Sequence, residues 1–506
     1  MTFVEFPGAA AIKDAPEVFV LGSSQAQDAA FMEQLGRPAT VIDTSGRVPF
    51  DASSIVRAVR AGRRPVIVIT DDYFREVGSW LEADDALDLG ACTVFYAPTA
   101  ETKYDLAYRA RYADEPLRDI IVLRSGPHAS MYVPGMDFSD NALALFEYLL
   151  REGYNERYEL VWLVKSPALF EARYRGVKNV TFLPFAGSDA PDAAVRDRYY
   201  EKLCLAKWIF FTDAYGFCRN ARSDQVRVQL WHGVGYKNRL NTVRCEHRYE
   251  YNVVTSPLYQ EVHERIYGLR HGQAIAMGQA KDDWLFHPAA GWRQKLGVPQ
   301  ARRTIFWMPT YRSKVAAQRN GRAVYEMTGE TGLPLVERRE QLARIEQVLA
   351  AEDVVLLIKL HPMQDRSLVD VSDLPHIRLI DQPMMVRSGL QINQVLAGAD
   401  ALISDYSSSA VSFLLLDRPM AFTLDDLDHY VAARGLVFDD VRDWLPGSQL
   451  YTFDDFLQFV CAVCHGEDPT PEVRARLLPL MHAHQDDQSA RRLCEQLGIS
   501  KGAGRS

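Results

Sequence analysis

Chemically active residues stand directly after short apolar runs in the second half of this chain. Two histidines, His232 and His361, and a serine pair, Ser407 and Ser408, each follow such a run. Histidine is a suitable general base near neutral pH. Serine hydroxyls and the free backbone N–H groups of a helix N-terminus bind phosphate. These residue types predict a site for a phosphorylated substrate.

The apolar runs are the elements that must position this chemistry. Short apolar and β-branched runs are typical of buried parallel strands. Four of them are followed by polar clusters: Val226–Leu230, Thr304–Met308, Val354–Leu360 and Ala401–Ser404. In open α/β sheets, ligands bind just beyond the carboxyl ends of the strands. The clusters are therefore expected to meet at one cleft.

His232 lies in a glycine-bearing turn, between a strand and Gly233-Val234-Gly235. Glycines on such a turn allow a substrate to approach the backbone closely. A histidine that only bonds the loop backbone would fit the local sequence equally well. His361 precedes Pro362, which favours an extended backbone, and a histidine there could neutralise a leaving phosphate. Zinc binding is the rival role, but the sequence offers no convincing third ligand.

An anion pocket is predicted around the serine cluster. Asp405, Ser407 and Ser408 lie between a predicted strand and a predicted helix, Ala410–Leu416. An N-cap with a polar turn explains the same residues and is compatible with phosphate binding. Arg312 and Lys314 could complete the pocket, although each alone is typical of a solvated surface charge.

Basic residues are concentrated around His232, on a chain whose net charge is −9. The segment is rich in arginine and includes Lys237 and Arg239 beside Gly233. Such a patch would favour an anionic acceptor or an anionic membrane surface. A solvated basic face is the alternative interpretation. The acidic overall charge argues against bulk nucleic-acid binding.

The bulk composition is that of an ordinary soluble globular protein. No apolar run approaches the length of a bilayer span, and the N-terminus lacks the features of a signal peptide. We therefore expect a cytoplasmic protein. Seven scattered cysteines favour free thiols. The segment Cys461–His465 has the C-x-x-C-H spacing of c-type haem attachment, but a helix over Phe453–Cys464 whose cysteines pack as small apolar residues explains it better.

The alternation of strand-like and helix-like segments predicts several doubly wound α/β units, and 506 residues exceed one core. Gly291–Arg303 is a candidate hinge. The predicted division is an N-terminal α/β domain without an assigned role (residues 1–115), two Rossmann-like domains (116–295 and 296–480), and a C-terminal helix and tail (481–506). Two such domains facing a cleft describe the glycosyltransferase-B architecture, which alternation alone does not prove.

Seven short motifs in order resemble those of the CDP-glycerol glycerophosphotransferases, which build teichoic-acid-like poly(polyol phosphate) polymers. They are Trp231-His232-Gly233, Gly278–Asp283, Pro309–Arg312, Lys359–Pro362, Asp405–Ser408, Arg434–Asp439 and Leu445–Gly447. The resemblance covers roughly Ile120 to His465. It departs at Val234-Gly235, Tyr311 and Lys359, where the family often has Thr-Pro, Trp and Arg.

The resemblance implies a glycosyltransferase-B fold and transfer of glycerol phosphate, or another polyol phosphate, from a CDP-polyol to a hydroxyl of a cell-surface polymer or its precursor. It gives the base role to His232 and a second essential role to His361. It places the donor pyrophosphate near Arg312, His361, Ser407 and Ser408.

The implied partners are CDP-glycerol or CDP-ribitol and an anionic polymer or lipid-linked acceptor. Peripheral contact with the cytoplasmic face of the inner membrane is a further expectation. No cofactor is certain, and the dependence on a divalent metal stays open. The alternatives are a nucleotide-sugar glycosyltransferase of the same fold and a non-catalytic nucleotide-binding scaffold.

Overall fold

The computed structural model describes most of the chain. The residues it describes are 4–22, 31–33, 35, 37–43, 51–70, 77–78, 81–82, 84, 86–126, 133–212, 217–218, 220–238, 248–309, 318–319, 322–323, 329–360 and 369–501. Four residues of the predicted site, His361, Arg312, Lys314 and Arg239, lie outside these ranges.

A parallel sheet of five strands forms the N-terminal unit. Its strands are β1 (Val4–Glu5), β2 (Val18–Gly22), β3 (Thr40–Asp43), β4 (Val66–Ile69) and β5 (Thr93–Tyr96), in the order β1-β5-β4-β2-β3. The described α-helices of this part are α1 (Ser53–Arg60) and α2 (Ala100–Arg111). The hydroxyl of Thr99 accepts a hydrogen bond from the backbone N–H of Thr102 at the start of α2. This cap fixes the start of α2 at Ala100.

A parallel sheet of seven strands forms the central domain. Its strands are β6 (Arg118–Arg124), β7 (Glu159–Val164), β8 (Val180–Pro184), β9 (Ala206–Phe211), β10 (Val226–Gln229), β11 (Tyr251–Val254) and β12 (Ala274–Ala276), in the order β12-β11-β10-β9-β6-β7-β8. Its α-helices are α3 (Asp140–Arg151), α4 (Pro167–Arg173), α5 (Ala193–Leu205) and α6 (Pro257–Tyr267). The strand that leads to His232, β10, is an inner strand with neighbours on both sides. It is buried over three of its four residues, as its apolar run predicts.

A parallel sheet of six strands forms the C-terminal domain. Its strands are β13 (Arg303–Trp307), β16 (Val354–Lys359), β17 (Ile377–Ile380), β18 (Ala401–Ser404), β19 (Met420–Thr423) and β20 (Ser448–Leu450), in the order β17-β16-β13-β18-β19-β20. A separate antiparallel pair joins β14 (Gln318–Arg319) and β15 (Arg322–Ala323). The helices from here to the end are α7 (Trp292–Lys295), α8 (Arg339–Glu352), α9 (Gln382–Ser388), α10 (Ile392–Leu396), α11 (Ser408–Phe413), α12 (Leu427–Arg434), α13 (Phe453–His465), α14 (Pro471–Met481) and α15 (Ser489–Gln496).

Short 3-10 helices complete the described secondary structure. They cover Ala9–Ile12, Leu89–Ala91, Tyr154–Glu156, Gly187–Asp189, Ala280–Phe286, Leu414–Leu416 and Val441–Trp444. The predicted helix Ala410–Leu416 is thus an α-helix that begins at Ser408 and ends in a 3-10 turn.

The last helix returns from the C-terminal domain to the central domain. Its buried residues Ala490, Leu493 and Cys494 share a hydrophobic cluster with strands and helices of the central domain. The carboxylate of Asp283 accepts hydrogen bonds from the backbone N–H groups of Ser489 (2.9 Å) and Ala490 (3.0 Å) at the start of this helix. The end of the chain therefore ties the two large domains together.

A second connection joins the segment after His232 to the C-terminal domain. Lys237 and Leu436 form an isolated antiparallel bridge. The backbone N–H of Val437 donates to the carbonyl of Tyr236 at 2.8 Å. Tyr236 is fully buried, with its ring near those of Phe422 and Phe438. This contact fixes the two domains at a short distance beside the predicted cleft.

The segment predicted as a hinge, Gly291–Arg303, is a packed connection. It contains α7, and Trp292 is only 7% exposed. A side chain at Gly398 of the C-terminal domain would have its Cβ 2.5 Å from the indole nitrogen of Trp292. In the described part of the chain, no helix has the length and apolar character needed to cross a membrane.

The C-x-x-C-H segment lies on α13, as the helical interpretation predicts. Cys464 is fully buried, and its burial raises the pKa of the thiol to about 12. A thiol in that state is a poor nucleophile and a poor metal ligand. Cys464 thus contributes to the core as a small apolar residue.

Candidate active site

His232 stands at the carboxyl end of β10, on a turn with unusual backbone geometry. Trp231 has a φ of 57° and Gly233 a φ of 135°. Positive φ is uncommon for a residue with a side chain. The turn directs the chain away from the sheet and leaves the His232 side chain 38% exposed, on the wall of a cavity.

The imidazole of His232 is held by a carboxylate from another part of the central domain. Its Nδ1 lies 2.7 Å from Oδ2 of Asp140. An ionised carboxylate can only accept, so Nδ1 carries the proton and donates it to this hydrogen bond. The tautomer that remains has a lone pair on Nε2, the nitrogen a general base needs.

Lys281 completes the group behind the histidine. Its ammonium lies 2.9 Å from Oδ1 of Asp140 and also donates to the backbone carbonyl of His232. Burial alone would raise the pKa of Asp140, but the charge of Lys281 and the hydrogen bond from His232 more than offset it and hold the pKa well below its usual value. Asp140 therefore stays ionised at any pH at which the protein works.

Asp140 adopts a strained backbone to reach this position. Its φ is 63°, a conformation that costs a residue other than glycine on the order of 1–3 kcal/mol. Residues in such conformations cluster at functional sites because the surrounding structure has to hold them there. The next residue, Asn141, anchors the geometry: its amide donates to the carbonyls of Leu230 (3.2 Å) and Trp231 (3.0 Å) and accepts from the backbone N–H of Lys281 (3.1 Å).

The motif Lys281-Asp282-Asp283 gives each of its charges a separate partner. Lys281 binds Asp140, and Asp283 caps α15. Asp282 is 2% exposed and accepts a hydrogen bond from the amide of Asn393 in the C-terminal domain at 2.9 Å. Burial raises the pKa of Asp282 to about 6. Three consecutive residues thus connect the histidine, the domain interface and the last helix.

A cavity of about 470 Å³ lies between the central and C-terminal domains. The central domain contributes His232, Asp140, Lys281 and Lys237 to its wall, among other residues. The C-terminal domain contributes Lys359, Gln391, Asn393, Ser407, Ser408 and Ser409, again among others. The size is within the usual range for a small-molecule site.

The serine turn meets the histidine turn across this cavity. A Cβ on Gly233 would lie 2.9 Å from the side chain of Ser408, and one on Gly235 would lie 3.2 Å from its Cα. Both glycines are therefore required for the close approach of the two domains. Ser407 is the N-cap of α11, and its hydroxyl accepts from the backbone N–H of Ser409 at 3.3 Å.

The predicted site residues fall into three groups. His232, Gly233, Lys237, Ser407 and Ser408 come together around the cavity. Asp405 is fully buried and, among the described residues, is not part of the cavity wall. His361, Arg312, Lys314 and Arg239 are outside the described residues, so their roles stay predictions.

The predicted basic patch is largely neutralised where the structure describes it. Arg222 pairs with Asp224 at 2.7 Å, and Arg227 pairs with Glu250 at 2.8 Å. Arg248 is 2% exposed. These three arginines support the fold and do not form an exposed basic face, whereas Lys237 does reach the cavity wall.

Sequence reasoning did not identify Asp140, Asn141 or Lys281 as site residues. Ser139 and Asp140 directly precede an amphipathic run, where serine and aspartate are usually helix caps. Ser139 makes no side-chain capping bond, and its hydroxyl donates instead to the carbonyl of Met136. The position of Lys281 in the fourth place of the Gly278–Asp283 motif was a signal, but the motif alone does not show what the lysine binds.

No group of three or more histidine, cysteine, aspartate or glutamate side chains that could hold a metal ion occurs within the described ranges.

Two doubly wound parallel domains with a site between them, and a separate N-terminal α/β unit, define a glycosyltransferase-B-like protein, which confirms the predicted fold class. The family model described as CDP-Glycerol:Poly(glycerophosphate) glycerophosphotransferase matches residues 130–498. The chain belongs to that family.

Curated relatives and solved structures agree with this assignment. The chain is 22% identical over 387 residues to the teichoic acid ribitol-phosphate polymerase TarL of Staphylococcus aureus. The aligned region covers 71% of this chain and 60% of TarL. It is 21% identical over 402 residues to a teichoic acid glycerol-phosphate transferase of the same species, covering 72% of this chain and 90% of that protein. A structure of the wall teichoic acid polymerase TagF superposes with a TM-score of 0.58 at 18% identity, over 79% of this chain and 92% of TagF. This chain thus spans about 60% of the length of TarL.

Proposed function

We propose that this chain transfers glycerol phosphate, or another polyol phosphate, from a CDP-polyol to an acceptor hydroxyl and releases CMP. The acceptor is a hydroxyl of a cell-surface polymer or its precursor. Membership of the family and the names of the relatives, which include both glycerol-phosphate and ribitol-phosphate enzymes, support this choice of donor class.

The observation that carries the proposal is the hydrogen-bonded series Lys281–Asp140–His232 at the wall of an interdomain cavity. A binding protein has no need of an imidazole held in one tautomer by a buried carboxylate. A transferase that must deprotonate a hydroxyl does need it. The strained backbone of Asp140 favours the same interpretation, because strain is retained where geometry is functional.

In the proposed reaction, Nε2 of His232 accepts the proton of the acceptor hydroxyl. The acceptor oxygen forms a bond to the β-phosphorus of the CDP-polyol. The bond from that phosphorus to the bridging oxygen breaks, and CMP leaves with the electron pair. Asp140 stabilises the imidazolium that forms, and Lys281 keeps Asp140 in place. The phosphorus retains its polyol, so the product is a phosphodiester.

The opposite wall of the cavity would hold the donor. Hydroxyls of Ser407, Ser408 and Ser409 line it and can donate hydrogen bonds to phosphate oxygens. His361, Arg312 and Lys314 are proposed to add charge stabilisation on this side, as the resemblance implies. Such preorganised donors act mainly by stabilising the charge that develops in the transition state.

The acceptor is proposed to approach along the side of the cavity that carries Lys237. A cation at that wall favours an anionic polymer or a lipid-linked acceptor with phosphate groups. Contact with the cytoplasmic face of a membrane would follow from a lipid-linked acceptor.

Donor identity can be tested without any acceptor, by a thermal-shift panel with CDP-glycerol, CDP-ribitol, CDP and UDP-sugars. A ligand at about a hundred times its dissociation constant adds roughly 2.7 kcal/mol to stability. We expect one CDP-polyol and CDP to stabilise the protein. Stabilisation by a UDP-sugar alone would instead favour a glycosyltransferase of the same fold.

The base can be tested with His232→Ala, measured by CMP release in the presence of donor and acceptor. Loss of a general base costs about 10²–10⁴-fold in turnover. A matched control is His271→Ala, because His271 is a fully exposed histidine that also pairs with a carboxylate, Glu264, and lies away from the cavity. A folded His232→Ala variant with full turnover would overturn the proposed mechanism.

A further inference from the structure

Lys359 is a cation at the wall of the cavity whose role neither the family nor the fold settles. It is the last residue of β16, an inner strand between β13 and β17. The carboxyl ends of parallel strands face the ligand crevice in open α/β sheets. Lys359 lines the cavity that His232 lines from the other domain.

Of the described residues that the C-terminal domain contributes to the cavity, Lys359 is the one with a charged side chain. The others are apolar, amide, hydroxyl and tyrosine side chains. Its ammonium has no carboxylate within ion-pair distance in the part of the chain that the structure describes. A half-buried cation without a partner is costly unless a ligand supplies the opposite charge.

No described charged group forms an ion pair with Lys359. The charge of Asp381, which follows β17, acts on Lys359 and partly opposes the fall in its pKa, but the Asp381 carboxylate caps α9 through the backbone N–H of Met384 at 2.8 Å. Asp405, which follows β18, is buried outside the cavity wall. Across the cavity, Asp140 is already paired with His232 and Lys281, and Lys237 is a second cation.

We propose that Lys359 binds a phosphate group of the nucleotide donor, and that it forms the donor's phosphate subsite together with the serine hydroxyls of residues 407–409. This inference rests on the proposed function and adds to it a residue that determines how tightly the donor binds. The subsite suits a diphosphate, because the ammonium supplies a positive charge and the hydroxyls supply several hydrogen-bond donors for its oxygens.

A lysine at this position makes donor binding depend on pH. Burial lowers the pKa of Lys359 to about 8, and Asp381 opposes the shift only partly. Above that pH, the free protein loses the charge that attracts the donor. Binding therefore weakens as the pH rises, because only the charged fraction of the protein is competent. An arginine at the same place would stay charged throughout.

The test is calorimetric titration of the full chain with CDP, which carries the diphosphate but cannot react. At pH 7.5 we expect Lys359→Met to bind CDP roughly ten- to a hundredfold more weakly than the unaltered protein, because a hydrogen bond to a charged group is lost. Cytidine, which has no phosphate, should bind both proteins equally. The control is Lys207→Met, because Lys207 is an exposed strand lysine of the central domain outside the cavity.

The second readout is pH. Between pH 7.5 and pH 9.5, the unaltered protein should lose up to roughly thirtyfold in CDP affinity, whereas Lys359→Arg should change less than about twofold. Both proteins are measured over the same pH range, so the titration of every other group, including that of His361, affects both equally. The comparison with Lys359→Arg also tests the inference if Lys359→Met does not fold.

The outcomes separate this inference from the proposed function. If the unaltered protein binds neither CDP nor a CDP-polyol, the proposed function fails. If it binds CDP, but Lys359→Met binds CDP equally well and Lys359→Arg shows the same loss at pH 9.5, the phosphate subsite is wrong and the proposed function stands. Weaker binding by Lys359→Met with a flat pH response in Lys359→Arg establishes the subsite.

Discussion

The two walls of the cavity differ in how completely their charges are satisfied. On the central-domain wall, Asp140 is paired through both carboxylate oxygens, with His232 on one side and Lys281 on the other. On the C-terminal wall, Lys359 has no ion-pair partner among the described residues. Ser408 and Ser409 line the same cavity.

This difference supports the division of the chemistry between the two walls that the proposed function contains. A wall whose charges are already paired holds a base in one geometry before substrate arrives, so no reorganisation is needed at the moment of reaction. A wall with an unpaired cation and hydroxyls is complete only when an anion binds. Under the proposed function, the first wall is therefore suited to proton transfer and the second to substrate binding.

The largest expected effect comes from the paired wall, in the variant Asp140→Asn. The amide can donate to Nδ1 of His232, which would move the imidazole proton to Nε2 and remove the base. We expect turnover to fall about 10²–10⁴-fold with little change in the KM for the donor. The measurement is steady-state CMP release. A large rise in donor KM with unchanged turnover would mean that Asp140 belongs to the binding wall instead.

The distance between the walls is tested by Gly233→Ala. The new Cβ would lie 2.9 Å from Ser408, on a backbone with a φ of 135°. We expect kcat/KM to fall roughly 10- to 100-fold, because a shift of about 1 Å between catalytic groups can cost 10²-fold. Gly297→Ala is the control: its φ is also positive, at 64°, but its Cβ would contact nothing within 4 Å. Equal loss in both variants would attribute the effect to backbone strain alone.

Asp282 joins the two walls through its hydrogen bond with Asn393. The pH dependence of stability in Asp282→Asn tests the cost of burying this carboxylate. Burial raises the pKa of Asp282 to about 6 from 3.8. The folded protein therefore holds a proton that the unfolded chain has already lost, and stability falls as the pH rises from about 4 to 6. Asparagine removes this penalty, so the variant should be more stable at pH 8 by about 1–3 kcal/mol and equally stable near pH 4.

Thermal unfolding at the two pH values measures this effect. Asp283→Asn provides the contrast: its pKa is also raised to about 6, but its carboxylate accepts two backbone N–H bonds that an amide supplies only in part. We expect no stabilisation in that variant. Stabilisation of both variants by the same amount would show that the two backbone N–H bonds to Asp283 do not offset the cost of burying its charge.

The smallest effect is expected on the binding wall, in Ser408→Ala. The Ser408 hydroxyl is one of several donors on this wall, and a water molecule can take its place beside the phosphate. We therefore expect a net cost of about 0.5–1.5 kcal/mol, which raises the donor KM by roughly two- to tenfold and leaves turnover nearly unchanged. Ser448→Ala is the control, because Ser448 lies on β20 of the same sheet and away from the cavity. A fall in turnover alone would place Ser408 in the chemical step.

Local sequence pattern predicted much of the secondary structure. Ala401–Ser404 is a strand with the predicted bounds, and the strand that begins at Val226 ends one residue earlier than predicted. Period and β-branched content are properties of neighbouring residues, so the sequence carries them directly. The alternation of strands and helices also predicted the fold class, which the comparison with TagF confirms. The predicted domain boundaries stay predictions.

The motifs also indicated which turns would carry chemistry. His232, Ser407 and Ser408 do meet at one cavity. Parallel strands bring their carboxyl ends to one edge of a sheet, so residues that follow strands come close together. His361, Arg312, Lys314 and Arg239 follow the same logic, and their roles stay predictions.

Only the tertiary structure decided what surrounds the histidine. Asp140 lies 92 residues before His232 and Lys281 lies 49 residues after it, and the residues next to Asp140 predict an ordinary helix cap. The pairing depends on a backbone at φ 63° and on the packing that holds it there. Local sequence pattern was therefore enough to predict the strands and the turns that follow them. Contacts between distant segments decided which charges are paired and which one, Lys359, has no ion-pair partner among the described residues, because such contacts depend on the whole packed arrangement.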